Sequence, residues 1–114
     1  MIFHRLDVFR KDLKKLSKKY PTLEADIAVV KKVIALHPEA KPPFSFQLQG
    51  LGISTPIIKI KKIASRSFKG RGVQSGFRLV YAFYPKEKRI VFIELFHKTQ
   101  QTSETRARIL TYFK

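Results

Sequence analysis

Residues 77–96 decide the fold; they read FRLVYAFYPKEKRIVFIELF. Two stretches rich in aromatic and β-branched residues, Phe77 to Tyr84 and Arg89 to Phe96, flank a short polar segment that starts with a proline. Such stretches favour strands, and the segment between them is typical of a turn. We therefore predict two consecutive antiparallel strands. The second is apolar on both faces, which indicates a central position in the sheet.

A third strand is predicted upstream of this pair. Residues 58–61 read IKIK, so apolar and basic side chains alternate and Lys59 and Lys61 share one face. Residues 65–76, SRSFKGRGVQSG, contain three glycines and are typical of a flexible basic connection. Residues 38–56 hold four of the six prolines, which predicts a loop.

Two helices are predicted before the strands. Between Phe9 and Leu16 the apolar residues fall at i, i+4 and i+7 among basic ones, which is the pattern of an amphipathic helix. Tyr20-Pro21 should end this helix, because a residue before proline is disfavoured in the α region. Thr22 is then a candidate N-cap for a second helix, which closes at His37-Pro38. The short turn between the helices predicts an antiparallel helical hairpin.

A last helix should open at Ser103-Glu104 and bury the apolar residues between Ile109 and Phe113. Ile2-Phe3 fits a short strand at the start of the chain. Helices followed by consecutive strands and a closing helix are typical of the α+β class. We therefore predict one domain over residues 1–114, with an N-terminal helical hairpin packed on a small antiparallel β-sheet with a C-terminal helix.

The charge of the chain points to a polyanionic partner. It has 24 Lys+Arg against 8 Asp+Glu, a formal net charge of +16, and no cysteine. The lack of cysteine excludes disulfides and thiolate metal sites. No apolar run is long enough for a membrane helix, and the N-terminus is charged too early for a signal peptide, so we expect a soluble cytoplasmic protein. Between Glu39 and Glu87 there is no acid but nine basic residues, which favours a phosphate-facing surface.

The order of these segments resembles the RelE/ParE superfamily of bacterial toxins from toxin–antitoxin operons. The most specific part is a Lys-Ile-Lys strand followed by Gly-Phe-Arg-Leu-Val-Tyr at residues 76–81 and by the strand that closes on His97-Lys98. The helix at residues 9–16 and the end of the chain around residues 106–109 also fit. Two departures are the long basic loop at residues 65–76 and the His97-Lys98 pair itself.

The resemblance implies a toxin of a type II toxin–antitoxin system. The superfamily includes ribosome-dependent mRNA endonucleases and poisons of DNA gyrase, so the fold alone does not select the activity. The expected partners are a cognate acidic antitoxin and mRNA on the ribosome, with no membrane and no small-molecule cofactor. The alternatives are a ParE-like non-catalytic inhibitor of gyrase and a basic RNA-binding domain with neither activity.

RNA cleavage without a metal needs a base for the 2′-OH, cations for the charged phosphorus and an acid for the leaving 5′-oxygen. A metal is not expected, because the three histidines are dispersed and acids are scarce near the basic strands. The catalytic candidates are Arg78, whose planar fork of donors matches phosphate, His97, whose imidazole suits proton transfer near neutral pH, and Lys61 as the possible base. Their alternative interpretations are a strand arginine that reaches solvent or pairs with Glu94, a structural histidine, and a solvated lysine.

The remaining basic residues of this region are candidates for nucleic-acid binding: Lys59, Lys62, Arg66, Lys69, Arg71 and Lys98. Phe68 adds an aromatic ring that could stack on a base. Two other residues are weaker candidates: Tyr81 should alternate into the core, and Glu94 should point away from His97. The basic face of the first helix is by default a solvated surface; the alternatives are that it lies on ribosomal RNA or on an acidic antitoxin.

Overall fold

The computed structural model describes residues 1–68 and 70–114, which form an α+β fold. Three helices and a five-stranded sheet make up this part of the chain: β1 (Ile2–Arg5), α1 (Asp7–Ser17), α2 (Leu23–Leu36), β2 (Ser45–Gln47), β3 (Ile57–Ile60), β4 (Phe77–Tyr84), β5 (Arg89–His97) and α3 (Arg106–Phe113).

The sheet has the order β1-β5-β4-β3-β2. Strands β4 and β5 form the predicted antiparallel pair, in register from Phe77 opposite His97 to Tyr84 opposite Arg89. Ile93 has no partner on β4, because Val80 pairs with Glu94 and Tyr81 with Phe92. Strand β5 is paired on both sides, which fits its apolar character on both faces.

The sheet is mixed, so the prediction of an antiparallel sheet was wrong. Strand β1 runs parallel to β5, with Ile2 opposite Arg89 and Arg5 opposite Phe92. The segment predicted as a loop also contributes a strand, since β2 pairs with β3 at the opposite edge. Both differences come from pairing between distant segments, which local patterns do not encode.

The core has one layer on each face of the sheet. On one face α1 and α2 bury Phe9, Leu13, Ile27 and Ile34 in the same cluster as strand residues such as Leu79. On the other face, Ile109 of α3 is fully buried among side chains that include Val80 and Ile93. The alternation along each strand supplies both layers. Within the described residues, no helix combines the length and apolar character needed to cross a bilayer.

Where β1 ends, side chains of α1 and α3 take over the hydrogen bonds to the backbone of β5. Strand β1 pairs only as far as Phe92. The Leu95 N–H beyond this point donates to the Asp12 carboxylate (3.1 Å), and Arg108 donates to the Ile93 carbonyl (3.1 Å). Arg108 also pairs with Asp12 at 2.6 Å. Burial acts to lower the pKa of Arg108, but the Asp12 hydrogen bond and charge outweigh it, so the pKa is raised.

Helix α3 starts at Arg106 rather than at the predicted Ser103-Glu104. The reason is Glu94, a buried carboxylate of β5 that accepts from the backbone N–H of Thr105 (2.8 Å) and from its hydroxyl (2.7 Å). Gln101 donates to the same carboxylate at 2.9 Å. Glu94 thus acts as a tertiary cap that fixes where the helix begins.

Candidate functional site

Four basic side chains meet at the end of the sheet where β3 ends and β4 begins. Lys61, Lys62, Arg78 and Lys98 line a depression of about 230 Å³, which we call the cationic pocket. The other lining residues are Pro43, Phe46, Val73, Gln74 and Gly76. None of these described lining residues is acidic, so the pocket has the electrostatics of an anion site. A larger cavity, about 650 Å³, lies at the opposite end of the sheet around Phe83 and Tyr84 and has no such excess of cations.

Arg78 is held in place by backbone carbonyls. It is the second residue of β4 and is half-buried. Its Nη1 donates to the Lys61 carbonyl (2.9 Å) and to the Phe77 carbonyl (3.3 Å). Within residues 1–68 and 70–114, no protein acceptor engages its Nη2 or Nε, and it forms no ion pair with Glu94. The guanidinium is therefore oriented by one nitrogen and keeps donors for an anion.

The lysines reach the cationic pocket from two strand ends: Lys61 and Lys62 from the end of β3, and Lys98 from the end of β5. Lys61 follows the last residue of β3, and its ammonium lies 5.4 Å from the centre of the Phe46 ring. Its backbone N–H still donates to the Phe44 carbonyl (3.0 Å), so the chain remains ordered past the strand end. Lys98 enters from the end of β5, where its N–H donates to the Gly76 carbonyl at 3.0 Å. The structure thus places Lys61 beside Arg78, as the sequence predicted, and adds Lys62 and Lys98 to the same pocket.

His97 lies beneath the cationic pocket and does not line it. Only 4% of its surface is exposed. Its ring packs against Phe68 (centroids 5.3 Å apart), Tyr20 (5.8 Å) and the edge of Phe77, and Tyr20 and Phe68 also contact each other (5.2 Å). We call Tyr20, Phe68, Phe77 and His97 the aromatic cluster.

Both ring nitrogens of His97 have protein partners. Nε2 lies 2.8 Å from the Ser75 carbonyl, which can only accept, so Nε2 carries the proton. Nδ1 then accepts from the Thr99 hydroxyl (2.7 Å) and backbone N–H (3.3 Å). Gly76 lies close to the Nε2 and Cε1 atoms of the ring, and a Cβ there would come 2.7 Å from Nε2. The geometry favours a positioning role for His97; the proton-donor role stays a prediction.

Lys59 is the predicted binding residue that the fold directs elsewhere. Instead of lining a groove beside Arg78, its ammonium pairs with the Glu104 carboxylate at 2.7 Å, and both side chains are largely buried. Burial acts to raise the pKa of Glu104, but the hydrogen bond and charge of Lys59, with smaller contributions from a backbone hydrogen bond and from Arg106, outweigh it and hold the pKa below its usual value. Lys59 therefore fastens the segment before α3 to the sheet.

This ion pair should make stability depend on acid pH. Because the pKa of Glu104 is lowered in the folded state, its contribution is present at neutral pH and is lost as the pH falls through the folded pKa. We expect Lys59→Met to reduce the free energy of unfolding more at about pH 7 than at about pH 3. Urea unfolding at both values measures this. Equal losses in Lys59→Met, or an unchanged pH dependence in Glu104→Gln, would contradict the assignment.

The basic loop contributes less to the cationic pocket than its composition predicted. Arg66 and Arg71 are exposed, but Arg66 lines a different cavity, about 320 Å³, on the side of α2. Phe68 is half-buried: its ring packs in the aromatic cluster and also lines this second cavity, not the cationic pocket. Lys69 lies outside the described residues.

Asp26 of α2 anchors the start of this loop. Its buried carboxylate accepts from the Ser65 hydroxyl (2.5 Å), the Thr22 hydroxyl (3.0 Å) and the Arg66 N–H (3.2 Å). Thr22 occupies the predicted N-cap position but makes no capping hydrogen bond, because its hydroxyl is used here. Tyr81 is a core residue, as predicted, and its hydroxyl donates to the Pro38 carbonyl at 2.6 Å. Burial, with a smaller contribution from Glu39, raises the pKa of Tyr81.

Sequence reasoning missed the five uncharged lining residues of the cationic pocket: Pro43, Phe46, Val73, Gln74 and Gly76. Phe46 lies on β2, which was predicted as loop. Gln74 was missed because the candidate binding residues were chosen by their positive charge. The signal for Gly76 was its place directly before an aromatic strand, and its φ of +93° is one that glycine adopts readily.

No protein-family model and no curated protein sequence matches this chain. The fold and the pocket therefore carry the functional argument. Among the described residues, no three His, Cys, Asp or Glu side chains lie together in a way that could hold a metal ion.

Proposed function

We propose that this protein is a metal-independent endoribonuclease whose active site is the cationic pocket. The observation that carries the proposal is the convergence of Lys61, Lys62, Arg78 and Lys98 on one small depression without an acidic neighbour among the described lining residues. A phosphodiester is the ligand that such a pocket fits best, since a planar guanidinium and several ammonium groups match its oxygens.

The reaction is an in-line transesterification. A base removes the proton of the 2′-OH, the 2′-oxygen forms a bond to phosphorus, and the bond from phosphorus to the 5′-oxygen breaks as that oxygen takes up a proton. The products are a 2′,3′-cyclic phosphate and a 5′-hydroxyl end. Arg78 stabilises the charge on the pentavalent phosphorus, and lysines of the pocket are the nearest candidates for the two proton transfers, Lys61 first among them.

We further propose that the chain is a cytoplasmic RelE/ParE-type toxin that cleaves mRNA on the ribosome and is neutralised by an acidic antitoxin. Three features support this: the net charge of +16, two consecutive helices that share one core on the same face of the sheet, and the Arg78 strand placed next to the Lys61 strand end. An adjacent reading frame for a small acidic protein whose co-expression relieves growth arrest is the expected companion. Growth arrest that no neighbouring gene relieves would contradict this part.

A ParE-like inhibitor of DNA gyrase is the second candidate. The burial of His97 favours it, because a non-catalytic inhibitor has no need of an acid at the surface of the pocket. In that case the same basic groups would contact the enzyme or its DNA.

One experiment separates the two activities. The chain is induced in growing cells, and primer-extension stops on translated messages are compared with the supercoiling of a plasmid. New stops within coding regions, with the plasmid unchanged, are expected. Relaxed or broken plasmid with intact messages would overturn the ribonuclease proposal.

A further inference from the structure

A second cationic surface lies outside the pocket, along α1. Lys11, Lys14, Lys15 and Lys18 recur at helical spacing, and Lys19 follows in the turn that closes the helix. All five are exposed. We call them the lysine face.

The lysine face has no neutralising partner in residues 1–68 and 70–114. The two acids of α1 are used elsewhere, Asp7 by Arg10 and Asp12 by Arg108 and the Leu95 N–H. Like charges three and four residues apart destabilise a helix, and here they are repeated over two turns. A surface that carries this cost without internal compensation is suited to an external polyanion.

The composition of the face selects the kind of polyanion. The apolar residues of α1, Phe9, Leu13 and Leu16, are buried beneath it. Lysine is depleted in protein–protein interfaces, which are enriched in aromatic residues and arginine. A membrane-surface helix would keep its apolar side available for the lipid. A row of lysines without interleaved apolar groups instead matches a phosphate backbone.

The position of the face connects it to the cationic pocket. The Lys19 ammonium lies 5.5 Å from the centre of the Tyr20 ring, and this ring stacks on His97. The next residue in the sequence after His97 is Lys98, which lines the cationic pocket. Lys15 lines a small cavity together with Asp12, which is paired with Arg108, and with Gln100 and Gln101 of the turn that follows β5. The turn after β5 is thus shared by both surfaces. From Lys11 to Lys18 the helix rises by about 10 Å, enough to follow about three phosphates of a duplex strand.

We propose that the lysine face is a sequence-independent binding site for the phosphate backbone of double-stranded nucleic acid. This inference goes beyond the proposed cleavage, because backbone binding at α1 requires no catalytic group in the pocket.

The test uses the full chain and a fluorescent RNA duplex of about 20 base pairs with 2′-O-methyl groups, which cannot be cleaved through the 2′-oxygen. Anisotropy gives the affinity over a range of salt concentrations. The triple variant Lys11→Gln, Lys15→Gln, Lys18→Gln removes three charges of the face, and glutamine matches lysine in helix propensity. The matched control, Lys32→Gln, Lys86→Gln, Lys114→Gln, removes three exposed lysines from other surfaces.

The face variant should bind at least about tenfold more weakly at moderate salt, and its slope of log affinity against log salt should be shallower by about 2 to 3. The control should stay within about twofold of the parent, and Lys11→Arg, Lys15→Arg, Lys18→Arg should bind like the parent. Circular dichroism verifies folding of each variant. Equal losses in the face and control variants would overturn the inference. The inference would also be overturned if the face variant bound the duplex as the parent does but no longer bound poly-L-glutamate. That result would assign the face to an acidic protein.

Discussion

Replacing Arg78 with alanine should reduce RNA cleavage by about 100- to 1000-fold, corresponding to about 3–4 kcal/mol of transition-state stabilisation. Its Nη1 is fixed by the Lys61 and Phe77 carbonyls, while the rest of the guanidinium keeps donors for the reacting phosphate. The loss should fall on the chemical step. Single-turnover cleavage of a translated message in a purified ribosome system measures it.

Two further variants make the Arg78 result specific. Arg78→Lys keeps the charge but not the planar fork, so its rate should lie between those of the parent and the alanine variant. Arg89→Ala is the matched control, because Arg89 starts β5 at the opposite end of the same strand pair and packs on Tyr84. If Arg78→Ala remained as toxic as the parent while a chain truncated before α3 did not, the assignment of the pocket would be wrong.

His97→Gln should lower the free energy of unfolding by about 2–4 kcal/mol and leave the shape of the pH–rate profile unchanged. Glutamine keeps hydrogen-bonding groups, but it loses the ring that packs against Tyr20 and Phe68. If His97 only positions its neighbours, stability should fall while the pH dependence of the rate stays the same. Any loss of rate would then come from displacement of Gly76 and the residues next to it. Urea unfolding and cleavage rates across neutral pH are the two measurements.

His97→Phe tests the same contacts from the other side. Phenylalanine keeps the stack but leaves the Ser75 carbonyl and the Thr99 N–H without the bonds they make to the ring nitrogens. It should also destabilise the protein, because buried polar groups without partners are costly. A stable His97→Gln protein with a flattened pH–rate profile would instead restore His97 as the proton donor.

Local sequence patterns predicted the elements whose stability is local. The spacing of Phe9, Leu13 and Leu16 indicated α1, and the paired aromatic stretches indicated β4 and β5, which the structure confirms. The parallel pairing of β1 and the short strand β2 were missed, because each depends on a partner more than ten residues away. The start of α3 was misplaced for a similar reason, since Glu94 supplies its cap from another element.

The candidate site was predicted in part. Arg78, Lys61, Lys62 and Lys98 do converge, because the ends of β3, β4 and β5 meet at one end of the sheet. Lys59 was expected to line a groove with Lys61, but β3 ends at Ile60, between the two lysines. Lys59 forms an ion pair with Glu104 instead. The environment of His97 was not predictable, because Tyr20 and Phe68 reach it from two distant parts of the chain.

The hydrogen bonds that Asp12 and Arg108 make to the edge of β5 bear on self-association. Residues 90–96, IVFIELF, combine high β-propensity with a single charge, the composition of a segment that recruits further strands. An edge is a template for such recruitment only while its N–H and C=O groups are free. With the Leu95 N–H and the Ile93 carbonyl already bonded to helix side chains, this edge is closed to an incoming chain. The Asp12–Arg108 pair therefore occupies backbone groups of β5 that another strand would need for pairing.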